Sequence, residues 1–435
     1  MDVERTDTDH ASDQREREAL EWLMSFADME RGVGWSPRAD PAEVWKLGRT
    51  RALLDIAGRP DRRMRCVLVG GTKGKGSTAA FLASVLDAAG LRAGLYTQPH
   101  LQSYRERIRV AGAAIDPAAF TTAVHASRPW VSELARRHPA AGEPTTFELT
   151  TVLALRHFTD AGCAVAILEV GLGGRLDATN AVDPEISVIA PISRDHVEIL
   201  GTRLELIARE KAGIMRPRRT GLIAVQRPSV ARSLRSACRS VGASCRTVPP
   251  LGRGFILGIA GEHQRQNAAL AVAAAKALGV TDDRAIQRGL ERVRWPGRFE
   301  EVRAEPPIIL DGAHNDASAN ALAATLRQRY RRTPIQLVVG MYRDKDARAI
   351  LRPLLPLASR VWATQPRGPR RFAAAELAAI CRSLGGRAVQ ERDDVRAALI
   401  AAQAADGPIC VTGSLALVGE ARDALGLPAP ERLWD

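Results

Sequence analysis

Aromatic residues make up only 4% of these 435 positions, so the chain has little with which to stack the bases of a single-stranded nucleic acid. It has no apolar run of about 18 residues, and a helical membrane span is not expected. The opening MDVERTDTDHASDQRERE lacks the apolar stretch of a secretory signal; it reads as a frayed polar tail leading into a helix over residues 18–24. The six cysteines, Cys66, Cys163, Cys238, Cys245, Cys381 and Cys410, contain no CxxC pair. We expect them to be reduced in a cytoplasmic protein, and to form neither a disulfide nor a zinc framework. A long basic block is also missing. The net charge of +13 comes mostly from Arg in short groups such as RRMR, RPRR and RGPRR. An Arg-biased surface is the plainer account of that charge, and attraction to nucleotides or other small polyanions the functional one; nucleic acid and membrane are not expected partners.

What is present is an ordinary apolar share, 46%, and a length comfortable for two domains. Residues 66–70 form a short apolar run that ends in glycine, and residues 78–89 follow with helical spacing. Further buried strands are expected at residues 165–170 (VAILEV) and 186–192, with a helix over residues 150–158 between the first two. Strands alternating with helices imply a mainly parallel sheet. After a helical stretch from about Asn267, the RWPGR segment breaks the pattern, and a second α/β rhythm begins: strand 308–310, helix 317–329, strand 335–340, then strands 360–364 and 408–412. The expected domains are 1–297 and 298–435.

The strongest chemical signal is GGTKGKGST, residues 70–78. A glycine turn between strand and helix aims backbone N–H groups and the helix dipole at one spot, which suits a phosphate chain. Lys75 is placed to reach the β- and γ-phosphates and Ser77 to give its hydroxyl to Mg²⁺. The spacing is tighter than GxxxxGK[ST], with an extra glycine between Lys75 and Ser77. Glu169 ends a buried strand next to GLGG, where a metal ligand is wanted, although a strand-end Glu alone is more often a paired charge. His196, after the third strand, sits at an equivalent position and is a candidate for a second metal. Lys211 in AREKAGIM is either a fixed charge in this cleft or an ordinary solvated helix lysine.

These segments carry a resemblance. GGTKGKGST, LYTQPHLQSYRERI, TTFELT, LEVGLGGRLDATN, SRDHVEILG, EKAGIM, HQRQNA, WPGRFE, LDGAHN and TGSLALVGEAR stand in the order found in folylpolyglutamate synthase/dihydrofolate synthase, of the Mur ligase superfamily, from about Leu20 to Arg422. The resemblance implies the Mur ligase architecture: a P-loop-type parallel-sheet ATP-binding domain followed by a smaller Rossmann-like, glutamate-binding α/β domain. It implies an ATP- and Mg²⁺-dependent ligase, a monomer that adds L-glutamate to folate or dihydropteroate through an acyl phosphate. By the same likeness, Gly74, Lys75, Gly76 and Ser77 hold the ATP phosphates, Glu169 and His196 the metal, and Lys211 is the lysine carbamylated in this family. Asn267, Arg298 and Asp311 resemble nucleotide contacts, His314 and Ser414 residues near the incoming glutamate. The pterin-bearing substrate is implied to lie against Thr145, Thr146, Phe147 and Glu148, and against Leu176, Asp177 and Ala178.

The chain departs from the family pattern in three places. Lys73 stands where Asn is usual, an addition of positive charge that the phosphates tolerate. Gln98 replaces a serine that supplies a metal-ligating hydroxyl, and offers instead a carbonyl oxygen on a longer arm. Asp316 stands where Pro is typical. A Mur-type ligase for another carboxylate and a non-catalytic nucleotide-binding homologue are the competing readings.

Overall fold

The computed structural model describes residues 7–28, 47–194, 197–331 and 333–434, which divide into two compact units. The units interleave along the chain: Met1–Gln98, Arg107–Gly252 and Gln266–Leu290 form the first, and Pro99–Glu106, Arg253–Arg265 and Glu291–Asp435 the second.

The first unit is built on eight strands: β1 Arg65–Gly70, β2 Ala93–Tyr96, β3 Ile108–Val110, β4 Ala113–Ala114, β5 Val165–Glu169, β6 Ile186–Ile189, β7 Thr220–Ala224 and β8 Ser244–Val248. They lie in the order β4-β3-β2-β5-β1-β6-β7-β8, parallel except at the β2–β3–β4 edge. β1, β5 and β6 are covered on both faces, which is why they read as unbroken apolar runs rather than alternating ones. From β1 the chain skips over β5 to β2, whereas β6, β7 and β8 extend the other way. The loops leaving the carboxyl ends of β1, β5 and β6 therefore open where the chain order reverses, the usual position of a ligand crevice in such sheets.

The helix after β1, Lys75–Ala88, is buried along most of its length, and its small residues let neighbours approach closely. A Cβ on Gly289, in the helix Asp283–Arg292, would come within 2.5 Å of Val85 Cα. The helix Thr146–Asp160 starts in a capping box: Thr145 Oγ1 accepts from the Glu148 N–H, and Glu148 accepts from the Thr145 N–H. Glu148 also takes an ion pair from Arg49 at 2.8 Å and a hydrogen bond from the Thr50 hydroxyl, fastening this helix to Leu47–Ile56.

The second unit holds β9 Glu300–Ala304, β10 Pro307–Leu310, β11 Ile335–Val339, β12 Ala358–Ala363, β13 Val389–Glu391 and β14 Ile409–Thr412, ordered β13-β12-β11-β14-β10-β9. Only β9 runs antiparallel to its neighbour. Each face carries its own apolar cluster, one around Leu337, Val339 and Ile350, the other around Ile308, Val338 and Val411, as a doubly wound sheet requires. Among the described residues no helix is long and apolar enough to cross a membrane.

Two expectations are corrected. The first helix spans Asp7–Met24, not residues 18–24 alone; residues 14–18 (QRERE) are a run of good helix formers, and Ala19 and Leu23 bury its end. Cys238 and Cys245 are joined as a disulfide. The helix Pro228–Val241 ends at Gly242 in the left-handed conformation (φ 69°), and the turn brings β8 back so that the two Cα atoms are 6.3 Å apart. Their spacing of seven gave no hint, because a helix end followed by a strand makes the approach. Cys66, Cys163, Cys381 and Cys410 are free and buried.

Candidate active site

The loop of residues 71–74 is pinned from below. Thr72 and Lys73 donate their backbone N–H groups to Pro191 O at 3.0 and 3.1 Å, and the Thr72 hydroxyl donates to Ser193 O. Gly71 (φ 133°) rides so close to the end of β6 that a Cβ there would lie 2.7 Å from Ala190 Cβ. Lys211, only 6% exposed, donates from Nζ to Gly71 O at 2.8 Å, so the solvated-lysine reading is overturned. The helix begins at Lys75 with Gly74 as N-cap (φ 81°) and no side-chain cap. The N–H groups of its first turn are thus not engaged by a cap, as an anion site requires. Asn267 fills the concave side of Gly74: a Cβ there would sit 2.1 Å from Asn267 Oδ1.

Glu169, at the end of β5, is 4% exposed, with Oε1 3.8 Å from Lys75 Nζ. Gln98 donates its backbone N–H to Glu169 Oε2 and its side-chain amide to Glu169 O, both at 3.3 Å. Ser77 is buried in the first helical turn. Lys75, Ser77, Glu169, Gln98, Lys211 and Asn267 thus belong to one unit and frame one loop. His196 lies outside the described residues. Among the described residues no three His, Cys, Asp or Glu side chains are grouped to hold a metal by themselves.

Beyond Glu169, Gln98 Nε2, Phe147 Cζ and Asp177 Oδ2 converge on Gly171, at 2.9, 3.1 and 3.2 Å from where its Cβ would be. Phe147 stacks on Tyr96 with ring centroids 6.0 Å apart. Asp177 accepts from the Leu172 and Thr179 N–H groups and the Thr179 hydroxyl; burial nevertheless pushes its carboxyl above the usual range. Leu176 is half-buried and Ala178 buried beside it. Of the four residues expected in the first substrate wall, Phe147 alone joins this corner; Thr145 and Glu148 form the helix cap, and the Thr146 hydroxyl donates to Leu23 O and Phe26 O.

In the second unit, Asp311 follows β10 and accepts from the Phe299 and Ala313 N–H groups, each at 2.9 Å. Burial pushes its carboxyl up to about 6, against the pull of Arg298 and those two bonds. His263, absent from the residues singled out by sequence although it stands in HQRQNA, is pushed down to about 4, by burial and then by the Arg298 charge. The His314 ring makes a 2.8 Å contact from Nδ1 to Gly312 O, and Ser414 caps the helix Leu415–Ala424 by accepting from the Leu417 N–H.

The two shifts act in opposite senses. The unfolded imidazole takes its proton near 6.5 and the folded one only near 4, so His263 costs stability as pH falls through that window. Asp311 binds its proton earlier folded than unfolded, so its effect is to add stability between about 6 and 3.8. His263→Gln is therefore expected to lose less thermal stability than the parent between pH 6.5 and pH 4, and Asp311→Asn to lose more. Parallel Tm-against-pH curves for all three proteins would show this assignment wrong.

Comparison with known proteins matches residues 69–237 to the Mur ligase middle domain and residues 297–415 to the Mur ligase glutamate ligase domain. A dihydrofolate synthase/folylpolyglutamate synthase of Bacillus subtilis is 33% identical over 87% of this chain and 94% of its own length. The chain belongs to the dihydrofolate synthase/folylpolyglutamate synthase family. A probable bifunctional folylpolyglutamate synthase/dihydropteroate synthase of Halobacterium salinarum is 38% identical over 82% of the chain, which spans only 46% of that longer relative. A crystal structure of Mycobacterium tuberculosis folylpolyglutamate synthase complexed with ADP and AMPPCP superposes with a TM-score of 0.87, at 31% identity, covering 96% of this chain and all of that one. The Mur ligase architecture, an α/β unit with a large mainly parallel sheet and a second sheet unit, is the one described above.

Proposed function

We propose that this chain is an ATP-dependent ligase that joins L-glutamate to the carboxylate of dihydropteroate or a reduced folate. The observation that carries the reading is the uncapped helix terminus at Lys75, with Lys75 facing Glu169, in a chain that also matches a glutamate ligase domain.

Gly74, Lys75, Gly76 and Ser77 bind the ATP phosphates through their N–H groups, and the Lys75 ammonium balances charge on the transferring phosphoryl group. A carboxylate oxygen of the acceptor attacks the γ-phosphorus and ADP leaves. The glutamate amine then attacks the acyl carbon, inorganic phosphate leaves, and the amine proton passes to solvent. Ser77 and Glu169 offer a buried hydroxyl and a buried carboxylate, hard oxygen donors that suit Mg²⁺ completed by phosphates and water. When bound, the metal supplies charge neutralisation across the phosphates. Gln98 donates its backbone N–H to the Glu169 carboxylate and its side-chain amide to the Glu169 backbone O, so we assign it to holding the end of β5 and, through its backbone, that carboxylate. Lys211 latches Gly71 through Nζ; carbamylation by CO₂ would remove its positive charge and add a carboxylate while leaving one N–H. Phe147, Leu176, Asp177 and Ala178 form the acceptor wall, with the partly apolar, partly polar character a pterin needs. We assign Asn267, Arg298 and Asp311 to the nucleotide, and His314 and Ser414 to glutamate. Of the cysteines, the four free buried thiols fit a cytoplasmic setting, and the Cys238–Cys245 disulfide does not.

The test is ADP release with L-glutamate, run side by side on dihydropteroate and tetrahydrofolate. Release that requires both glutamate and one of these acceptors is expected. Nucleotide binding without glutamate-dependent release on either acceptor overturns the proposal.

A further inference from the structure

Behind the phosphate loop, Pro191 O takes the backbone N–H groups of both Thr72 and Lys73. Those two donors are spent on the protein, so the place of the loop follows the place of that one carbonyl. Pro191 stands two residues beyond β6, where regular pairing has stopped: the register of β6 on β7 ends with Ile189 beside Ile223. Proline has no N–H with which to extend the ladder.

Gln226, two residues beyond β7, supplies what the backbone there lacks. Its Nε2 donates to Ala190 O at 3.3 Å and its Oε1 accepts from the Ile192 N–H at 3.1 Å, so one side-chain amide brackets Pro191 on both sides. Ala190 O can only accept and the Ile192 N–H can only donate, which fixes the orientation of the amide. Gln226 is held in turn. The neighbouring Val225 N–H donates to Gln266 Oε1 at 3.2 Å, and Gln266 Nε2 donates to Val248 O at 2.9 Å, closing the ends of β7 and β8. Gln266 is buried and directly precedes Asn267, the residue that packs on Gly74. All of these residues belong to the first unit.

We propose that Gln226 is a positioning residue for the nucleotide: by bracketing Pro191 it sets the carbonyl that holds Thr72 and Lys73, and with them the phosphate loop. The inference rests on that loop binding ADP or ATP, and not on the acceptor or on glutamate. The alternative is that Gln226 only braces the end of the sheet. The close approach of Gly71 to Ala190 and the Lys211 bond to Gly71 O would then keep the loop in place without it.

Gln226→Met decides between them, since it keeps the length of the side chain and removes both bonds. In the ligand-free protein, hydrogen exchange at the Thr72 and Lys73 amides is expected to quicken about tenfold. The Val170 amide, bonded to Val69 O on the other side of β1, is expected to keep its rate. ADP affinity measured by calorimetry is expected to weaken about tenfold. Leu234→Ala controls for a merely structural effect. It truncates a buried side chain in the helix Pro228–Val241, which follows Gln226, and is expected to lower Tm with ADP affinity unchanged. Unchanged exchange at Thr72 and Lys73, unchanged ADP affinity, or an equal loss of ADP affinity in Leu234→Ala each overturns the proposal. Should Gln226→Met not fold, Gln226→Glu keeps the acceptor for the Ile192 N–H, removes the donor to Ala190 O and carries the same readouts. Neither readout requires turnover: a parent that binds ADP without glutamate-dependent release overturns the proposed function and leaves this test intact.

Discussion

Glu169→Gln is expected to lower glutamate-dependent ADP release by about a hundred- to a thousandfold, with little change in fold. The substitution keeps the shape of a side chain that is 4% exposed and removes only its charge. The amide nitrogen then occupies one of two positions now held by oxygens, one beside the Lys75 ammonium and one accepting from the Gln98 N–H, so a favourable contact becomes a clash of donors. Among the described residues no group of three acidic, His or Cys side chains stands ready to take over as metal ligands. Steady-state rates over a Mg²⁺ titration, with circular dichroism as the fold control, are the measurement. A variant within fivefold of the parent at every Mg²⁺ concentration removes Glu169 from the metal site.

Gly74→Ala carries the second large effect, about a hundredfold loss in kcat/KM for ATP. The residue sits at φ 81°, a left-handed conformation that costs an L-residue about 1 kcal/mol, and the new methyl would meet the buried Asn267 amide at 2.1 Å. Either the loop or Asn267 has to move, and the helix's open N–H groups move with the loop. A double-mutant cycle decides between the two contributions. With Asn267→Ala as background, the methyl has room, and Gly74→Ala is expected to cost less than tenfold more. An equal hundredfold penalty in both backgrounds means that backbone strain alone, and not packing by Asn267, shapes the loop.

Much of the framework was legible because it is local. CVLVG and VAILEV are apolar without alternation because their strands are covered on both faces, and the observed β1 and β5 differ from the expected runs by a residue. The expected helices over residues 150–158 and 317–329 correspond to Thr146–Asp160 and Asp316–Tyr330, whose starts are set by capping boxes, Thr145 with Glu148 and Asn315 with Ser318. The motif TTFELT was visible as a block, but not its division of labour. Glu148 meets Arg49 across 99 residues of sequence, and only Phe147 reaches the Gly171 corner.

The sequence by itself determined that a phosphate loop exists and what it is made of, since glycine spacing, Lys75, Ser77 and the following helix lie within one short segment whose geometry is set by local backbone preferences. It also determined two α/β rhythms and the family. Only the tertiary structure decided which distant groups serve that loop: Lys211 latches Gly71 from 140 residues away, and Asn267 packs on Gly74. The reason lies in the strand order. Parallel crossovers bring the carboxyl ends of β1, β5 and β6 side by side, although the chain visits them with whole layers between. No short-range pattern encodes that adjacency, and the Cys238–Cys245 bond likewise appeared only once the chain was folded.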